Sequence, residues 1–175
     1  MPQVEQIPAT LRANVNLVLN QIVIQVRHAD NVRGRARSGY YKVAILLAAT
    51  VVEALAHSIL KLKLNDGATP PLGGWECYES YNLPKSHQPT THLLSVCKRR
   101  KSVFRLTNKT DFVRVNETCR DLGIFSSNFF QKIDRVRIMR NRIHLQSLNR
   151  VDSSYTKKQL DSVGYVINKL IDKIP

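Results

Sequence analysis

Four residues in one short stretch of the 175-residue chain have types suited to work at a phosphate. They are Arg137, Arg140, Asn141 and His144, within NFFQKIDRVRIMRNRIHLQSLNR. On a helix turning about 100° per residue, all four fall within about 50° of a common direction, one stripe over two turns. Phe130, Ile133 and Leu148 lie on the same side, whereas Asn128, Lys132, Arg135, Arg142 and Gln146 lie opposite. Polar residues therefore already fill an outer face, and the stripe points toward packing or a cleft. A guanidinium taken out of water needs an acid, a carbonyl or a bound anion. Two readings follow. In one, Arg137 and Arg140 pair with Glu53 or a loop carboxylate and His144 is a satisfied core histidine. In the other, the stripe holds an anionic substrate, and four polar residues in register favour it.

The chemistry is that of phosphate handling. Arginine grips phosphate oxygens through its fork and neutralises charge that develops in a transition state. Histidine moves a proton near neutral pH. Asn141 can orient the imidazole or hydrogen-bond the phosphate. No cofactor is implied and no metal-ligand cluster is found; His87 and His92 lack matching partners.

The elements that must position these groups read as helices, because apolar residues recur at helical spacing and no stretch is a convincing strand. A first helix is expected over 9–28, with Leu11, Val15, Val18, Leu19, Ile22 and Val26 on one face. A basic connection, DNVRGRARSG, follows, broken at Gly34 and Gly39. A second helix over 40–64 is rich in Ala and Leu and nearly apolar all round. Residues 65–89, with four prolines and three glycines, read as a long irregular insertion; its Trp75, Tyr78 and Tyr81 could stack on bases, but pinning the loop to the bundle is the favoured reading. A third helix is expected from Thr90 or Thr91 through Val103. A short fourth opens at Asn108 or Thr110 and stops at Gly123. Ser126 or Ser127 caps the fifth, which runs to about Leu148. The last opens on a capping box from Thr156 to Gln159 and carries Leu160, Val163, Ile167, Leu170, Ile171 and Ile174. The expectation is a single all-α domain, 1–175, a bundle of five to six helices.

Length and composition agree with that expectation. A chain of 20.0 kDa with 43% hydrophobic and 23% charged residues can bury roughly 70% of its unfolded surface without staples. Disorder, collagen-like repeats and coiled-coil rods are excluded. Against 13 acids stand 27 Lys and Arg, a net charge of +14 that suits a polyanionic partner. Three cysteines at wide spacing, with no secretory leader pattern, favour a reducing cytoplasm. The most apolar run, 43–60, carries Glu53 and His57 near its middle, which favours a buried central helix over a membrane span.

The RNRIHLQ segment resembles the signature of HEPN-domain proteins, an arginine, often followed by asparagine, then four to six residues and a histidine. The run SGYYKVAILLAATVVEALAHSIL looks like that family's long central helix, acid included. The order of elements is also similar, from about Ser38 onward and most weakly over 65–108. Arg140 to His144 leaves three residues between them and Arg137 to His144 leaves six. The arginine role therefore carries to Arg137 and the polar role to Asn141, with Arg140 accessory. The resemblance implies a homodimer with the two R…H helices facing across a basic cleft, and metal-independent endoribonuclease cleavage of single-stranded RNA. His144 is then acid or base, Arg137 holds the phosphate, and Glu53 orients Arg or His across the bundle. Such proteins often serve as toxins or in antiviral defence, and some bind without cutting.

Other basic groups could flank an RNA track: Arg33, Arg35 and Arg37 in the first connection, Lys98, Arg99, Arg100 and Lys101 in the third helix, and Arg142. For 98–101 an ordinary solvated face is the stronger reading, and the arginine-rich first connection is the more suggestive of the two. Two alternatives to an RNA-cleaving enzyme stand. One is a non-catalytic RNA- or nucleotide-binding module. The other is an interaction protein that docks on a partner such as a nucleotidyltransferase-type antitoxin.

Overall fold

A helix that is apolar on nearly every side has to be surrounded. The computed structural model describes residues 8–69, 75–82, 93–99, 104–143 and 155–174. In it the Ala/Leu-rich run forms α2 (Gly34–Asn65), against which α1 (Ala9–Asp30), α3 (Phe112–Asp121), α4 (Ser127–Arg142) and α5 (Lys157–Ile171) all pack. The fold is the expected all-α helical bundle. Its core runs along α2 through Ala44, Ile45, Ala48, Val52, Leu55, Ala56 and Ile59, and is closed by Phe125 and Ile133 and by Val163 and Leu170 of α5. α2 is long and apolar enough to cross a membrane, yet 61% of its most apolar window is buried inside the bundle.

The connection between α1 and α2 is tighter than expected. Only three residues separate the helices, Asn31 to Arg33, and Gly34 makes the reversal with φ of +60°. Arg35, Arg37 and Gly39 therefore belong to the first turns of α2 rather than to a broken loop. A mid-helix glycine costs about 0.5–1 kcal/mol relative to alanine. Burial of Ser38, Tyr41 and Ala44 around Gly39 outweighs that cost, and the Ser38 hydroxyl accepts from the Tyr155 amide at 2.9 Å, tying α2 to the entry of α5.

The second departure lies after α2. Residues 65–89 are not irregular throughout, and no helix spans 90–103. Strands β1 (Trp75–Asn82) and β2 (Leu93–Arg99) pair antiparallel, Trp75 opposite Arg99 and Asn82 opposite Leu93, with an irregularity between Cys77 and Glu79. Ser95, Val96 and Cys97 at the centre of 93–99 are weak helix formers, and pairing with 75–82, rich in Trp and Tyr, supplies the backbone partners that make it a strand. Lys98 and Arg99 consequently sit on a strand; Arg100 and Lys101 lie outside the described residues, as do most of the prolines and glycines of 70–92.

The local signals near the site are as expected. Gly123, at φ of +70°, stops α3 in a Schellman arrangement: its amide bonds to the Arg120 carbonyl and the Ile124 amide to that of Cys119. Ser126 caps α4 through the Phe129 amide, and Asn116 donates from Nδ2 to the Phe130 carbonyl, locking α3 to α4. The Thr156–Gln159 capping box opens α5. α4 is described to Arg142, where the Ile143 amide turns back to the Arg140 carbonyl in a tightened last turn; the expected continuation to about Leu148 lies outside the described residues.

Candidate functional site

The last two turns of α4 bring Arg137, Arg140 and Asn141 to one side of the bundle, where they meet Glu53 of α2 and the segment leading into α3. Together with Lys109, Asp111, Arg114 and Glu117 they line a cleft of about 630 Å³. Four residues that the stripe and the central helix nominated thus share one wall. His144 follows α4 in the chain and lies outside the described residues.

Each guanidinium is held. Arg140 Nη1 lies 3.1 Å from Glu53 Oε2, both side chains about one-third exposed. This is the cross-bundle pair expected as one alternative. Arg137 takes a partner that was not expected, Asp134 one turn back on its own helix, with Nε 2.7 Å from Oδ1. The contact engages Nε, and among the described residues no further carboxylate pairs with that fork. Outward residues behave as the helical period requires: Arg135 and Arg142 are exposed and neither lines the cleft.

The cleft is mixed in charge. Lys109, Arg114, Arg137 and Arg140 face Glu53, Asp111 and Glu117. Glu53 holds Arg140 and Asp134 holds Arg137, so an anion entering the cleft competes with these two carboxylates for the arginines. Arg33, Arg35 and Arg37 are exposed at the opposite end of α2, 16 or more residues before Glu53. At 1.5 Å per residue that is about 24 Å or more along the axis, so they do not belong to this cleft. Arg37 there pairs with Asp30 at 3.8 Å and lies over the Tyr41 ring.

No family model matches the chain, and neither a curated protein nor a solved structure matches it. The site therefore rests on its own geometry.

Sequence reasoning missed the wall opposite the arginines. Thr107 to Thr110 form a compact turn: the Thr107 amide donates to Thr110 Oγ1 at 2.8 Å, and the Lys109 amide to Thr107 Oγ1 at 3.2 Å. His57 of α2, one turn beyond Glu53, anchors that turn through Nε2, 3.0 Å from the Thr107 carbonyl. A carbonyl only accepts, so Nε2 carries the proton and Nδ1 is left as an acceptor in the neutral ring. The i to i+4 spacing of Glu53 and His57 was a readable signal; the approach of 107–117 was not. Among the described residues no three His, Cys, Asp or Glu side chains converge as metal ligands do. Away from the cleft, burial pushes the Cys119 thiol up to about 12, and a hydrogen bond to Asp172 raises Lys169.

Proposed function

We propose that the chain is an RNA-binding, metal-independent endoribonuclease of HEPN type, acting as a second-copy dimer in the cytoplasm and in a toxin or defence role. The observation that supports this reading is the meeting of Glu53, Arg137, Arg140 and Asn141 at one cleft, immediately before His144 in the chain. In the reaction, the RNA 2′-hydroxyl attacks the adjacent phosphorus. Its proton passes to a base, and the bond to the 5′-oxygen breaks as that oxygen gains a proton. A 2′,3′-cyclic phosphate and a 5′-hydroxyl result. His144 serves as acid or base, Arg137 stabilises the charge on the non-bridging oxygens, and Asn141 orients one of them. Glu53 holds Arg140 at the cleft edge.

The test is incubation of labelled single-stranded RNA with mapping of the new ends, wild type beside His144→Ala. Cyclic-phosphate ends from wild type and none from the variant are expected. Full activity in the variant overturns the assignment. A second reading, an RNA- or nucleotide-binding module that does not cut, is favoured by the pairing of both arginines with carboxylates. It predicts retarded RNA without cyclic-phosphate ends. An interaction role, with an antitoxin of nucleotidyltransferase type as partner, predicts phenotypes insensitive to Arg137 and His144.

A further inference from the structure

Behind the phosphate cleft lies a second hollow of about 440 Å³, between the start of α1, the middle of α2 and the start of α3. Four residues line both spaces: Glu53, Asn108, Thr110 and Phe112. The two are neighbours across a shared wall rather than separate sites. The hollow has a different character from the cleft. Leu11, Ala54 and Phe112 give it apolar sides, while Asn108, His57 and Lys61 set donors and acceptors around them. Its volume falls in the range of about 300–1,000 Å³ usual for small-molecule sites.

An anion site beside a hollow with apolar walls and a polar edge matches the two ends of a nucleotide. Bases are taken up by packing of their faces on flat or apolar side chains and by hydrogen bonds to their edges. Asn108 is suited to the second task, since a carboxamide offers paired donor and acceptor to a base edge. It sits in the turn that His57 anchors, so the amide is carried on a fixed support. An aliphatic ligand would leave Asn108, His57 and Lys61 without gain. A sugar alone would leave Leu11, Ala54 and Phe112 uncovered.

We infer that this hollow is a nucleobase subsite, holding the base of the nucleotide whose phosphate sits at Arg137 and Arg140. The inference rests on the proposed phosphate role of the cleft. Ala54 lines the hollow but not the cleft, so a larger side chain there takes up the hollow's space away from the arginines.

Calorimetric titration of the 175-residue chain with nucleoside 3′-monophosphates, with a short oligoribonucleotide and with inorganic phosphate tests it. The nucleotide is expected to bind at least about tenfold tighter than phosphate. Ala54→Leu is expected to remove about that tenfold advantage while leaving the phosphate affinity unchanged. Asn108→Ala, in an exposed turn, is expected to weaken nucleotide binding several-fold with an unchanged melting temperature, which guards against misfolding of the first variant. A tighter complex with the oligoribonucleotide than with the monophosphate identifies a strand as the source; equal affinity identifies a free nucleotide. Equal affinity for nucleotide and phosphate in wild type, or retention of the advantage in both variants, overturns the subsite. Absence of cleavage in the end-mapping assay counts against the ribonuclease reading alone, because binding is read here without turnover.

Discussion

Changing Glu53 to Gln removes the charge that faces Arg140 while keeping the shape of the side chain. The two atoms stand 3.1 Å apart. At an effective dielectric constant of about 20, Coulomb attraction at that distance is about 5 kcal/mol before any cost. Fixing two long side chains and stripping part of their water offsets most of it. A pair of this kind in open solvent is worth about 0.2–1 kcal/mol, and breaking a fully buried one costs about 3–5 kcal/mol. With each side chain about one-third exposed, the coupling should fall between those limits, at about 1–2 kcal/mol. For a chain of this size that corresponds to a melting shift of roughly 2–8 °C. The measurement is a double-mutant cycle of Glu53→Gln and Arg140→Gln by urea denaturation. Independent sites add within about 0.3–0.5 kcal/mol, so a coupling below that band refutes the reasoning. The pair would then be an incidental surface contact with no part in shaping the cleft.

Two further outcomes follow from local features. Thr156→Ala breaks the box that opens α5 and should cost about 1 kcal/mol; after Gln159→Ala has removed the reciprocal bond, the same change should cost less, as urea titration of both singles and the double would reveal. Cys119 holds its proton in the fold from its ordinary value of 9.0 up to about 12, whereas the unfolded chain releases it near the lower value. The folded state therefore binds more protons in that window, and stability falls as pH rises through it by at most about 1.4 kcal/mol per pH unit. The difference in melting temperature between wild type and Cys119→Ala should narrow with that slope, and alkylation at pH 9 should require denaturant. Rapid alkylation of the native protein speaks against the burial.

What could be read from the sequence is what is decided within a few residues. Ser126, Thr156 with Gln159, and Gly123 act on the helix ends they adjoin, and each acts there in the structure. The division of α4 into an exposed Arg135 and Arg142 and a half-buried Arg137 and Arg140 follows from the helical period alone. Longer-range effects were not legible. Gly39 reads as a break until Tyr41 and Ala44 are seen to be buried around it. The pairing of 75–82 with 93–99 depends on a partner strand that no local pattern announces. The cleft wall from Asn108 to Glu117 is placed by packing of α3 on α2 and α4, far from the motif in sequence. Arg137 turned to Asp134 rather than across the bundle, because a carboxylate one turn away on the same helix needs no tertiary contact to reach it.

The first helix carries a consequence of its own. Among the described elements α1 rests on α2 alone, buries only Ala29 completely, and leaves Leu17, Val23 and Ile24 partly exposed to water. Held through Leu11, Val15, Val18, Ile22 and Val26 to a single partner, it can lift away without unpacking α3, α4 or α5, and its amides should exchange before those of α2. Pro8 and Leu11 at its start nevertheless form a side of the inner hollow. Whatever occupies that hollow meets a finished wall only in molecules whose first helix is seated. Its apparent dissociation constant is then the intrinsic one divided by the seated fraction, and binding and seating reinforce each other. The grip of a helix some distance from the arginines becomes, through one leucine, a control on how tightly the interior holds its guest.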